Sequence, residues 1–344
     1  MTFTTGTRPY SKPSQNRDTT PSSRNCRDRA KPLAFALLAV ALLGLIAAPS
    51  FAFEADRAQF ALRYEGQVFP YQVQALFVAP SHQLDLEAVG KPGGVYSFST
   101  DSGRVVQRDG RSWTWTAPSK PGLYRARVRD QRGSAIAINL FVLVPRKRME
   151  NGRLNGYRIG TYPSPPLRGL AVYRKPAGFV QVTPDILDTR LSPHFTLRQF
   201  LCKERGGFPK YVVLRETLLL KLEQILALVN SKGLHADTFD VLSGFRTPFY
   251  NYAIGNVKYS RHMFGDAADI FIDQSPRDGR MDDLNHDGKI DERDSEYLSR
   301  LVDQLNRHEQ DQELIGGIGV YPETSNHGPF VHVDTRGFPA HWAG

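Results

Sequence analysis

Six short runs rich in Val, Tyr, Phe, Trp and Thr recur between positions 71 and 144, separated by Gly, Pro, Asp and Ser. They are Tyr71–Val78, Gln83–Val89, Val95–Ser99, Ser112–Ala117, Leu123–Val128 and Ala135–Val144. Evenly spaced β runs with turn residues between them, and no helical period, predict a small antiparallel sandwich over 53–145. From Ser192 the pattern changes. Between Pro209 and Gly233, Leu214, Leu218, Leu222 and Ile225 fall at spacings of four, four and three, followed by Leu226. Glu216, Lys221, Glu223 and Gln224 lie between them, which predicts an amphipathic helix of about six turns ended by Gly233. Strands are expected at Phe239–Leu242, Ala268–Ile272 and Phe330–Val333, so that 192–344 forms an α+β domain. The stretch 146–191, with Pro163, Pro165, Pro166 and Pro176, reads as a connecting segment wrapped on one of the domains.

Within the first region, Trp113-Thr114-Trp115-Thr116-Ala117-Pro118 followed by Pro121-Gly122-Leu123-Tyr124 resembles bacterial immunoglobulin-like modules. The resemblance implies an Ig-like sandwich acting as spacer or adhesion surface, with no chemistry of its own.

Charge is informative once it is mapped. The chain has 44 Lys+Arg against 35 Asp+Glu, a net +9. Residues 1–52 hold seven basic and two acidic residues, or +5, which leaves only +4 over the remaining 292 positions. So diffuse a charge argues against a nucleic-acid partner. The basic stretch precedes Pro32 to Phe53, which contains no charged residue, and Ser50-Phe51-Ala52 places small residues where a signal peptidase reads. A secretory signal over 1–52, cut after Ala52, is expected, with an uncleaved membrane anchor through 32–53 as the alternative. Either way the chain from Glu54 onward is expected in the periplasm or cell envelope, free or tethered to the inner membrane. Cys26 would leave with the signal, so Cys202 stands alone and reads as a buried small apolar residue. No GxxxxGK loop and no Cys-x-x-Cys pair occurs, which excludes a phosphate-loop nucleotide site and a zinc ribbon.

In Ser260-Arg261-His262-Met263-Phe264-Gly265-Asp266-Ala267-Ala268-Asp269-Ile270 a His precedes an Asp by seven positions, and Phe330-Val331-His332-Val333-Asp334 lies far downstream. Catalytic zinc takes three protein ligands from His nitrogens and carboxylate oxygens and leaves one position open. His262 on a loop, Asp269 at the start of a buried strand and His332 on an adjacent strand supply such a set. The two-residue strand period turns His332 and Asp334 to the same side.

With Ser243-Gly244-Phe245-Arg246-Thr247, these motifs resemble the zinc D-Ala-D-Ala carboxypeptidases and murein endopeptidases, which share a fold with lysostaphin-type peptidases and the hedgehog signalling domain. The resemblance covers Ser192 to Gly344, a little under half the chain, with all three motifs in order. It implies a hedgehog/DD-peptidase-like fold and zinc held by His262, Asp269 and His332. Arg246 would then be a substrate-side and oxyanion-stabilising group, and Ser260 would support the substrate or the first ligand. Its substrate class would be peptidoglycan, cut at stem peptides or cross-links. The chain departs from the family at Pro329, where many members carry an acidic general base three positions before the last ligand. His327 and Asp334 are the candidates to replace it; Asp334 can equally orient a ligand imidazole. Loss of the acid leaves open a non-catalytic envelope or peptidoglycan-binding module that keeps the fold.

A second cation site is written between the zinc ligands. Asp283, Asn285, Asp287, Asp291 and Asp294 place side-chain oxygens at positions 1, 3, 5, 9 and 12 of an EF-hand-like loop, 283–294. Lys289 would add a backbone carbonyl, Gly288 holds the sharp turn and Ile290 the apolar eighth position. Ca2+ is the expected ion, in a structural or a regulatory role, with an exiting helix over Ser295–His308.

Overall fold

The computed structural model describes residues 53–344. The signal or anchor expected over 1–52 lies outside them, and no helix of the described residues is long and apolar enough to cross a membrane. The described chain is a mixed α+β structure in which β-sheet predominates.

Nine strands build two facing sheets: β1 (Arg57–Tyr64), β2 (Gln67–Tyr71), β3 (Val73–Val78), β4 (Gln83–Val89), β5 (Tyr96–Thr100), β6 (Arg104–Gln107), β7 (Ser112–Thr116), β8 (Gly122–Asp130) and β9 (Ala135–Val142). One sheet runs β2-β1-β4-β7-β6, the other β3-β9-β8-β5. Side chains alternate inward in the way a half-buried strand requires: Leu84, Leu86 and Ala88 of β4 join Trp113, Trp115 and Val128 in one apolar core. The expectation of a purely antiparallel sandwich fails at one edge. β3 pairs parallel with β9, because the chain crosses from the first sheet to the second between β2 and β3 and meets the last strand there. Strands β1, β2 and β6 are additional to the expected set.

The connecting stretch enters the core. Tyr157, Ile159, Tyr162, Tyr173, Phe179, Val182 and Leu191 are buried with the C-terminal apolar residues, and Gly178–Val182 forms the middle strand of a three-stranded sheet. The helix α1 (Glu216–Ser231) is shorter than expected and is not amphipathic in its surroundings. Leu218, Leu222, Ile225 and Leu226 pack in the C-terminal core while Leu220 reaches the sandwich core. The polar residues assigned to a solvated face are therefore enclosed too: Lys221 and Glu223 are each 1% exposed. Buried charges require partners. Lys221 Nζ donates to Asn306 Oδ1 and to the Asp334 carbonyl, both at 2.9 Å, and Glu223 accepts from the His194 backbone N–H and imidazole.

The site-bearing sheet has five strands: β10 (Asp240–Ser243), β11 (Ala267–Phe271), β12 (Gly317–Tyr321), β13 (Phe330–Asp334) and β14 (Ala340–Ala343), ordered β10-β11-β13-β12-β14. A short helix α2 (Pro248–Ala253) follows β10, and α3 (Glu292–His308) buries Leu298, Leu301 and Val302.

Candidate metal centre

Register sets the centre. Ser243 pairs with Asp269, Asp269 with His332, His332 with Gly319 and Gly319 with Trp342. Directly opposed residues share a face, so five strands contribute one row across the sheet. Two members of that row are the expected ligands. The third, His262, comes from the turn Arg261–Phe264 just before β11. Gly265 ends that turn at φ +78°, and a Cβ there would stand 2.5 Å from the Val213 carbonyl oxygen, so this position takes only glycine.

The donor atoms meet. His262 Nε2 lies 3.1 Å from Asp269 Oδ1 and 3.1 Å from His332 Nδ1, and His332 Nδ1 lies 2.8 Å from Asp269 Oδ1. All three residues are buried, and among the described residues they form the one group of three whose ligand atoms lie within 4.8 Å of one another. Their outer atoms are held as metal ligands require. His262 Nδ1 donates to the Gly244 carbonyl at 2.7 Å, which leaves the Nε2 lone pair turned inward. His332 Nε2 faces Asp334 Oδ2 at 3.2 Å, which leaves Nδ1 turned inward. This donor set can hold a metal ion.

The electrostatics follow. Burial pushes the His262 imidazole below its usual range. Burial opposes ionisation of Asp269, but His262 and His332 outweigh it and hold the carboxyl well below the usual carboxylate range. Burial likewise opposes ionisation of Asp334, and hydrogen bonds from His332 and Arg336 again hold it low. Both Asp334 oxygens are engaged, Oδ1 by the Gly317 N–H at 2.8 Å and by Arg336, Oδ2 by His332 and Arg336. Asp334 is fully buried, with both oxygens occupied and one of them facing the His332 imidazole.

A cavity of ≈ 530 Å³ opens beside the three ligands and is also lined by Arg246, Ser260, Tyr321, Phe330 and Trp342. Arg246 is more committed than a free substrate clamp: Nη2 donates to Asp269 Oδ2 and Nε to Ser243 Oγ at 2.7 Å. His327 is not among the lining residues; its ring stands edge-on to Phe330 at 4.9 Å and its Nδ1 lies 2.8 Å from the Gly328 carbonyl. Trp342 forms part of the cavity wall. Its ring lies 5.1 Å from that of His332, its indole N–H donates to the Tyr321 hydroxyl at 2.9 Å, and the Arg336 guanidinium sits over it. A Cβ on Gly319 would approach the ring to 2.5 Å, so the glycine makes room for this wall. No local sequence signal marks it, because it arises from pairing of β12 with β14.

The 283–294 loop is organised differently. Asp283 accepts from the Asp287 and Gly288 N–H groups, Asn285 from Asp287, and Asp287 from Lys289. Asp294 is fully buried and accepts from Leu284, Asn285 and Asp291, closing an N-terminal capping box with Asp291 on α3.

No protein-family model matches the chain, and no curated protein matches it. Among solved structures it is similar to a nucleoside hydrolase-related hypothetical protein from Saccharophagus degradans, at 15% identity over 25% of this chain and 26% of that one, with a TM-score of 0.20. It is also similar to a titin M10–obscurin-like 1 Ig complex, at 21% identity over 25% of this chain and 97% of that one, TM-score 0.17. A titin M3 domain matches at 11% identity over 24% of this chain and 97% of that one, TM-score 0.16. The match spans about a quarter of the first protein's length, and TM-scores of this size carry no argument about fold or activity.

Proposed function

We propose that this chain is a zinc-dependent peptidase of the hedgehog/DD-peptidase-like fold, acting on the stem peptides or cross-links of peptidoglycan in the cell envelope. The observation that supports this reading is the convergence of two buried imidazole nitrogens and one carboxylate oxygen at the wall of a cavity. That donor set matches catalytic zinc. When bound there, zinc supplies a Lewis acid that acidifies water and polarises a carbonyl. The chain's own residues do the rest. The Gly244 carbonyl and Asp334 fix which nitrogen each imidazole presents. Arg246 anchors Asp269 and brings positive charge to the cavity wall, where it stabilises a developing oxyanion. Ser260, buried in the same wall, supports the substrate backbone. His327 packs edge-on to Phe330 and does not line the cavity, so its proposed part in proton transfer requires a relay through a group that does.

One observation favours a second reading. Among the side chains lining the cavity, Asp269 is the only carboxylate, and Pro329 stands where an acidic base is expected. An envelope or peptidoglycan-binding module that keeps fold and metal without turnover would look like this. A digest of purified cross-linked peptidoglycan, read by mass spectrometry for wild type and His262→Ala, decides between them. Loss of dimeric muropeptides with wild type alone supports the endopeptidase, and loss of a terminal D-Ala alone a carboxypeptidase. Unchanged muropeptides with zinc-loaded protein support the binding module.

The 283–294 loop is the proposed calcium site, with Asp283, Asn285, Asp287, Asp291, Asp294 and the Lys289 carbonyl as its ligands. Support comes from the backbone curled over Asp283 and from Gly288 at φ +83°. Its proposed role is structural, holding the start of α3.

A further inference from the structure

The segment 247–259 leaves the cavity at Arg246 and returns to it at Asn256, Val257, Tyr259 and Ser260. It is tightly pinned. Thr247 Oγ1 accepts from the Tyr250 N–H at 3.0 Å, and the buried Asn251 donates from Nδ2 to the Val257 carbonyl at 3.0 Å. The Asn256 N–H donates back to the Asn251 carbonyl at 3.1 Å, and the Phe249 N–H reaches the Ile159 carbonyl at 3.0 Å.

On this fixed backbone three apolar side chains stand in water: Tyr252 is 85% exposed, Ile254 47% and Val257 68%. Nine large apolar side chains are exposed among the described residues, and three of them fall within these six positions. Scattered exposed apolar residues are ordinary, but a cluster at the rim of a site marks a contact surface. The backbone hydrogen bonds remove the alternative in which the lip folds inward to bury them.

We infer that Tyr252, Ile254 and Val257 form a docking lip for the polymeric part of the substrate that lies outside the cavity. This rests on the peptidoglycan reading above and names a surface that reading does not require. Size identifies the occupant: a cavity of ≈ 530 Å³ takes a few residues of a peptide, as pockets of this class do. A cross-linked wall polymer must therefore continue over the rim. Val257 belongs to both the cavity wall and the exposed set, and Ile254 and Tyr252 lie three and five positions before it on the same pinned segment. The apolar faces of sugar rings and alanine methyls match such a surface.

The test compares Tyr252→Ser/Ile254→Ser with wild type, since both side chains are exposed and their loss leaves the core intact. Zinc content and near-ultraviolet circular dichroism check that intactness. Rates are measured on soluble cross-linked peptidoglycan fragments that retain their glycan strands, and on the isolated cross-linked peptide dimer. Expected is an at least tenfold fall in the ratio of kcat/KM on the polymer to that on the peptide, carried by KM; tenfold corresponds to about 1.4 kcal/mol. An unchanged ratio overturns the lip while leaving the peptidase reading intact. Wild type that cleaves neither substrate overturns the peptidase reading and the lip with it. An unchanged ratio with loss of binding to phosphatidylglycerol vesicles, or of a wild-type dimer in sedimentation, reassigns the surface to a membrane or a second copy.

Discussion

Two parts of this molecule carry metal-ligand patterns, and they are built on opposite principles. In the His262–Asp269–His332 centre the donor atoms are buried and crowd within about 3 Å of one another, while their outer atoms are already hydrogen-bonded. In the 283–294 loop Asp287 is exposed, Asp283 and Asp291 are half-buried and Asp294 is buried, and these side chains with Asn285 accept backbone N–H groups of the loop itself. Strand register preorganises the first, so an ion adds chemistry to a finished frame. Local turns organise the second, so an ion there would compete with hydrogen bonds and act on stability. A ligand pattern alone does not distinguish these cases; the surrounding shell does.

The largest expected break in the comparison is at the centre. His262→Ala should remove zinc and lower kcat/KM on cross-linked peptidoglycan by about 1,000-fold or more, measured with metal-reconstituted protein. Asp334→Asn leaves the three ligands but weakens the orientation of His332 and leaves Arg336 without its anion. Zinc affinity in a competition titration should fall about 10- to 100-fold. Gly319→Ala forces Trp342 off the wall and should destabilise the fold by about 1–3 kcal/mol in denaturant unfolding, with a shift in tryptophan emission.

At the loop the expected effect is on stability alone. Calcium at a hundred times its dissociation constant should stabilise wild type by about 2.7 kcal/mol, and Asp283→Ala should abolish that gain without changing zinc stoichiometry. Glu216 sharpens the comparison from another side, as a carboxylate whose burial outweighs the one cation acting on it, Arg215. Burial raises its pKa to about 7, while its oxygen accepts the Phe77 N–H at 2.9 Å. Since the folded-state value exceeds the ordinary one, stability is lost as pH rises from the ordinary carboxylate range through 7. Glu216→Gln keeps an acceptor for Phe77 and should be neutral at pH 4 but stabilising by about 1–2 kcal/mol at pH 8, read from urea midpoints.

Different layers of the structure were legible in the sequence to different degrees. The three residues that converge at the candidate centre were legible because metal chemistry restricts residue types, and the strand period places His332 and Asp334 on one face. The row that completes the centre was not. Ser243, Gly319 and Trp342 meet through pairing between strands distant in sequence, which leaves no local pattern. Helix α1 was legible as a helix, yet Lys221 and Glu223 were assigned to a solvated face. A periodic pattern reports one apolar stripe and says nothing about a second body packed on the other side. In the sandwich, β4, β7, β8 and β9 follow from their β-rich runs. β6 does not, because Arg104–Gln107 is exposed along its whole length and shows no alternation. The parallel pairing of β3 with β9 is likewise a matter of connection rather than composition.

The central claim is that His262, Asp269 and His332 hold one metal ion. Native mass spectrometry of the purified protein after zinc loading and desalting tests it most directly. One zinc per chain in wild type and none at this site in the His262→Ala, Asp269→Ala and His332→Ala variants is the expected result. Equal zinc in wild type and all three variants would contradict it.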